Sequence, residues 1–200
     1  MITNDTYKTI SSVSSGIYKE KGSKFLSFAI PVRDVEQVKS TLEVYRREYF
    51  DARHVCYAYM LGEERIDYRS NDDGEPSGTA GRPILGQINS YELTDILIIV
   101  VRYFGGILLG TGGLVTAYKE ATADAFRHAT IIERKIEKPL TIHFPYELMS
   151  EVSRLVKEFD LQVSHQKFEM TCEITFAVSK GKFDSIKARF EKIYGIKVSK

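Results

Sequence analysis

Cysteine is scarce in this chain: Cys56 and Cys172 are the only two in 200 residues. Each stands among alternating apolar residues. With no export signal at this size, the pair is expected as two buried thiols in a reducing compartment, not as a disulfide. Surplus charge is also missing. Lys and Arg number 28 against 27 Asp and Glu, so the net charge of +1 gives no global argument for nucleic acid. The longest apolar run, Ile96 to Val101, falls far short of the roughly 20 residues a membrane-spanning helix needs. The opening "MITNDTYKTISS" has neither the basic start nor the apolar core of a signal peptide. A cytoplasmic protein with no membrane partner is the expectation. Proline and glycine are too few to suggest disorder, and neither repeats nor low-complexity segments occur.

What is present reads as mixed α/β. "IYKEKGSKFLSFAIPV" (17–32) suggests two extended segments joined at Gly22. Asp34 and Gln37 form a capping-box pattern ahead of Val35, Val38, Leu42, Tyr45 and Tyr49 at helical spacing. "HVCYAYML" (54–61) is strand-like, and "SNDDGEPSGTAGRP" (70–83) is a long loop without hydrophobic period, with a short helix expected after Pro83. "DILIIVVRYF" (95–104) has no polar break before Arg102, the pattern of a central strand covered on both faces. Beyond the glycines, Leu114, Ala117, Tyr118, Ala121, Ala125 and Ala129 mark a helix whose alanine stripe permits close packing on a sheet. The last third runs strand, helix, two strands, helix, strand. That βαββαβ order is a ferredoxin-like split motif, so the expected domains are 1–135 and 136–200.

Four groups of residues could carry chemistry. "RYFGGILLGTGGLVTAY" (102–118) places Gly105, Gly106, Gly110, Gly112 and Gly113 within nine positions. The stretch matches neither the Walker A loop nor the dinucleotide fingerprint. Free amides running into a helix N-terminus, with Thr111 as cap and Arg102 at the head, would attract an anion; the same glycines would also serve a tight strand–helix joint. In the loop, Asp72, Asp73 and Glu75 could hold a cation, but lack EF-hand spacing, and "NDDG" is equally a good turn. Ser77 and Thr79 could pass close to a ligand there. His54, Ser77 and Asp72 or Asp73 could be written as a triad, yet no G-x-S-x-G elbow accompanies them. His128, His143 and His165 lack metal-ligand spacing. No catalytic residue, metal or cofactor is assigned. Lastly, Arg53, Arg65, Arg69, Arg82 and Arg102 alternate with Tyr57, Tyr59, Tyr68, Tyr103 and Phe104, the composition of a phosphate-binding and stacking surface. From Lys180 onward, seven Lys and Arg face only Asp184 and Glu191, which suits a solvated helix or a second RNA contact.

"KGSKF" (21–25), "DARHVCYAY" (51–59), "SNDDGEPSGTAGRPIL" (70–85) and "VVRYFGGILLGTGGLVTAY" (100–118) resemble the IMPACT/YigZ family, in order and spacing across nearly all of the first domain. The remainder is similar to the elongation factor G-like domain of bacterial members. The resemblance implies a first domain like domain 2 of ribosomal protein S5, a sheet with helices on one side. It also implies a link to translation or RNA, since both implied folds recur in ribosomal and translation-factor proteins. The eukaryotic members' regulation of translation through a partner of an initiation-factor kinase is not carried over whole. The leading expectation is a non-enzymatic cytoplasmic protein binding RNA or a ribosome-associated partner, with no DNA specificity. Its surface would comprise Arg53, His54, Arg82, Arg102 and the 105–113 amides. The alternative is a phosphate- or nucleotide-binding protein or enzyme using the same glycine joint, as in kinases of the galactokinase type, whose signature this chain lacks.

Overall fold

The computed structural model describes residues 5–199. Residues 1–4, where the start was read as unlike an export signal, and Lys200, last of the basic tail, lie outside the described residues. The chain divides into two compact units, 7–134 and 135–199 with 5–6.

The first unit is built on a five-stranded sheet of order β2-β3-β6-β4-β5, from β2 (Ser14–Glu20), β3 (Ser23–Pro31), β4 (His54–Leu61), β5 (Asp67–Asn71) and β6 (Ile96–Tyr103). Every neighbouring pair is antiparallel. The β2–β3 hairpin turns at Lys21 and Gly22, both at positive φ, as a two-residue hairpin loop demands. A short ladder pairs β1 (Thr6–Ile10) with β7 (Ile131–Lys135). The β-branched run of β6 lies at the centre of the sheet, and seven of its eight residues are buried.

Alternation along β6 sorts its side chains onto two cores. Ile96, Ile98 and Val100 join the core under α2 (Gly81–Ser90) and α3 (Gly110–Arg127). Leu97, Ile99 and Val101 join Val38 and Leu42 of α1 (Val35–Glu48) on the opposite face. Helices therefore cover both faces, which corrects the one-sided arrangement implied by the resemblance. The physical reason is the sequence of β6, which has an apolar side chain to hide at nearly every step. At the head of α1, Asp34 accepts the Gln37 N–H at 2.8 Å, and the Gln37 side chain accepts the Arg33 N–H at 2.9 Å, one residue before the cap. α2 starts at Gly81, two residues ahead of Pro83, so proline sits within its first turn, where its missing N–H costs nothing.

α3 lies close on β2 and β3, as its alanine stripe allows. Ala117, Ala121 and Ala125 are fully buried. The Ser14 and Ser27 hydroxyls donate to the Ala125 and Ala121 carbonyls, and a Cβ on Gly16 would collide with the α3 backbone.

The second unit is a four-stranded antiparallel sheet of order β11-β8-β10-β9. Its strands are β8 (Glu137–Pro145), β9 (Gln162–Lys167), β10 (Thr171–Ser179) and β11 (Lys197–Ser199). α4 (Met149–Glu158) and α5 (Phe183–Glu191) cover a core centred on Leu140, Phe144, Phe176 and Phe190. This is the βαββαβ order with the spacing of the split motif. Cys56 and Cys172 are buried and unpaired.

The five glycines do different work. Gly105 packs backbone against backbone on the β2–β3 turn: a methyl there would overlap the Gly22 carbonyl carbon and the Ser23 nitrogen. Its N–H also donates to Ser23 Oγ at 3.1 Å. Gly106 and Gly110 hold positive φ. Gly112 lies in the first turn of α3 with open space around it. Gly105→Ala should therefore destabilise the fold by about 1–3 kcal/mol or more, whereas Gly112→Ala should be neutral or stabilising by about 0.4–1 kcal/mol. Urea denaturation of the two variants measures the difference.

Candidate functional site: a cleft beside a buried ion pair

Arg102 breaks the apolar run of β6, and its fate organises the site. It falls on the α2/α3 side of the sheet, and the register sets His54 of β4 directly opposite it. A guanidinium there is removed from water and needs a counter-charge. The counter-charge is Glu75, from the loop after β5: Arg102 Nη1 donates to Glu75 Oε1 at 2.6 Å, with side chains only 6% and 3% exposed. The Tyr118 hydroxyl of α3 donates to the same oxygen at 2.8 Å. The Arg102 guanidinium also lies over the rings of Phe25 and Phe104, at 5.5 and 5.7 Å. Its Nε is buried and has no hydrogen-bond partner among the described residues.

Two further groups join this network. The Cys56 thiol lies 3.3 Å from the Tyr118 hydroxyl and 3.0 Å from the Asp72 carbonyl. Burial pushes both the Cys56 thiol and the Tyr118 phenol above their ordinary ranges, which favours the protonated form of each. His54, half-buried, places Nδ1 2.7 Å from the Asp73 carbonyl oxygen and Nε2 3.8 Å from Glu75 Oε1.

The loop that delivers Glu75 is held by its own aspartates. Asp72 accepts the backbone N–H groups of Gly78, Ala80 and Gly81 at 2.8–3.0 Å. Burial opposes its charge, but those three amides and nearby Arg82 outweigh it and hold the carboxyl below its ordinary value. Asp73 accepts the Val55 N–H at 2.7 Å and pairs with Arg46 at 3.1 Å. The cation-ligand reading of Asp72, Asp73 and Glu75 is thereby replaced. The three carboxylates point at amides, at Arg46 and at Arg102, each satisfied within the protein.

Above this network lies a cleft of about 630 Å³. Gly74, Glu75 and Pro76 form one wall, and Phe104, Leu108, Leu109, Gly110, Thr111 and Leu114 form the other, with Arg53, His54 and Arg102 between them. The glycine stretch and the acidic loop thus face each other across one opening. α3 begins at Gly110 behind Leu109, with no side chain capping its first amides. Thr111 is not the cap, because it lies inside the first turn.

The structure brings together Arg53, His54, Arg102, Glu75, Gly110 and Thr111 among the residues singled out from sequence. Others lie elsewhere. Arg82 is exposed beside Gly78. Gly105 and Gly106 form the joint, and Gly112 and Gly113 are within α3. Thr79 is buried with its hydroxyl on the Pro76 carbonyl at 2.6 Å. Ser77 is exposed and outside the cleft lining. Among the described residues no triad assembles from His54, because its Nδ1 partner is a backbone carbonyl and not a carboxylate. Tyr118 and Cys56 were missed as members of a polar network. Their signal was faint: a tyrosine on a buried helix stripe must find a partner for its hydroxyl.

The Impact N-terminal domain family matches residues 21–126, which include every residue lining the cleft. The chain belongs to the IMPACT family. The family member YigZ of Escherichia coli is 33% identical over 171 residues, 84% of each chain. The family member YvyE of Bacillus subtilis is also 33% identical, over 136 residues, 68% of this chain and 63% of that protein. A crystal structure of a hypothetical protein superposes with a TM-score of 0.74 at 28% identity, covering 97% of this chain and 96% of that one. The family-model match therefore lies within the first unit, and the structural likeness extends over both.

Two outcomes follow from the network. Glu75→Ala leaves a buried guanidinium unpaired and should cost about 3–5 kcal/mol, while Glu75→Leu combined with Arg102→Met should recover most of that loss; chemical denaturation of the three proteins checks it. The lowered carboxyl of Asp72 contributes stability that is fully present above its unfolded value, near pH 4, and is lost as pH falls through the folded value. Thermal melts from pH 7 to pH 3 should show the wild type losing more stability than Asp72→Asn at the acid end.

Proposed function

We propose that this IMPACT family member is a non-enzymatic, cytoplasmic, translation-associated protein that binds RNA, and that the cleft is where it does so. Family membership supports the link to translation. The observation that carries the RNA reading is the composition of the cleft. Arg53 is exposed and has no acidic partner among the described residues. It shares one opening with the uncapped amides of α3 and with the partly exposed Phe104 and exposed Leu108. Cation and amides suit a phosphate, and an aromatic face suits an unstacked base. Charge balance over the whole chain hides this local arrangement.

A second reading has its own support. The cleft's volume lies within the range of small-molecule pockets, so a free nucleotide or phosphorylated metabolite would also fit. Among the described residues no helix is long and apolar enough to cross a membrane.

Fluorescence anisotropy with labelled single-stranded and structured RNA, from low to moderate salt, tests the reading. Binding should weaken steeply with salt. Arg53→Ala should lower affinity for all sequences alike and reduce the slope of log K against log salt by about one. Affinity that is absent or insensitive to salt defeats the proposal. A saturable thermal shift with nucleotides but not oligonucleotides favours the second reading.

A further inference from the structure

His54 leaves one acceptor in the cleft without a donor. Its Nδ1 sits 2.7 Å from the Asp73 carbonyl oxygen. A carbonyl only accepts, so Nδ1 carries a hydrogen, and in the tautomer with that single hydrogen Nε2 presents a lone pair. Opposite Nε2, at 3.8 Å, is Glu75 Oε1. That separation is beyond hydrogen-bond range, and the oxygen is itself an acceptor already engaged by Arg102 and Tyr118. Two acceptors thus face each other over a gap that a donor from outside the protein would fill.

The surroundings narrow the donor's chemistry. An ammonium would meet Arg53 and Arg102, both of which line the same cleft. A phosphodiester alone would suit Arg53 and the α3 amides but carries no hydrogen for Nε2. A hydroxyl fits both demands: it donates to Nε2, and its oxygen accepts from the exposed guanidinium of Arg53 in the same cleft. The ligand is therefore a hydroxyl held close to an anion. Within RNA that pair is the ribose 2′-hydroxyl beside its phosphodiester, the group that separates RNA from DNA.

We propose that His54, oriented by Asp73 and backed by Glu75, reads the ribose 2′-hydroxyl and makes the cleft selective for RNA over DNA. This rests on the RNA-binding reading above. A ribonucleoside monophosphate carries the same hydroxyl and phosphate, so it serves as a second source in the test.

The experiment measures affinity for one single-stranded sequence as ribo-, deoxyribo- and 2′-O-methyl-oligonucleotide, with wild type and His54→Ala. Wild type should bind the ribo-oligonucleotide about tenfold more tightly than the other two, because each lacks the donor. His54→Ala should abolish the preference and bring the three affinities together, with circular dichroism confirming the fold. Equal wild-type affinity for RNA and DNA, as a water in the gap would produce, overturns the inference and leaves RNA binding standing. A preference that survives in His54→Ala also overturns it. If no oligonucleotide binds but a ribonucleoside monophosphate shifts the melting temperature and its 2′-deoxy counterpart does not, the hydroxyl assignment holds and the RNA reading falls.

Discussion

A guanidinium buried at the end of a central strand is the constraint around which the first unit is arranged. Arg102 cannot be left unpaired in that position, because an uncompensated buried charge costs several times what one ordinary hydrogen bond contributes. Its partner Glu75 comes from a loop 27 residues earlier, so pairing the charge also places the loop. Tyr118 ties α3 to the same carboxylate oxygen. One oxygen atom thereby joins the central strand, the loop after β5 and the helix that follows the glycines. His54, fixed opposite Arg102 by strand register, completes the arrangement. The cleft is consequently preorganised: its walls are held by the same contacts that neutralise the charge beneath it.

The glycine stretch owes its density to two separate jobs. Gly105 lets two backbones touch at the β2–β3 turn, and Gly106 and Gly110 supply the positive φ that turns the chain from strand to helix. Only the last part of the stretch borders the cleft. Joint and binding surface are therefore successive segments of one loop.

Much of the architecture was legible because it follows from local rules. The β-branched run of β6 announced a strand buried on both faces, and it proved a better guide than the implied one-sided sheet. The alanine stripe announced close helix packing, and the Asp34–Gln37 pair announced a helix start. The βαββαβ rhythm of the last third came from hydrophobic spacing alone. The site was less legible. Arg53, His54 and Arg102 were singled out together, but Arg102 was expected as an open anion ligand, and it is mostly committed to Glu75. Glu75, Asp72 and Asp73 were grouped as a possible cation cluster because adjacency in sequence says nothing about where carboxylates point. Asp72 spends its charge on three amides of its own loop, a pattern no spacing rule reveals.

By itself the sequence determined the strands and helices, the family and the residues from which a site could be made. Each of those rests on periodicity, on turn chemistry or on long motifs carried by neighbouring positions. The tertiary structure decided which charges cancel and which remain available. Arg102 and Glu75 neutralise one another, Asp72 is held by three amides, and Arg53 is left lining the cleft with His54. Those outcomes depend on register across β4 and β6 and on the path of one loop, which are long-range properties. An ion pair forms only between groups within about 4 Å of one another, so only the folded arrangement could assign it.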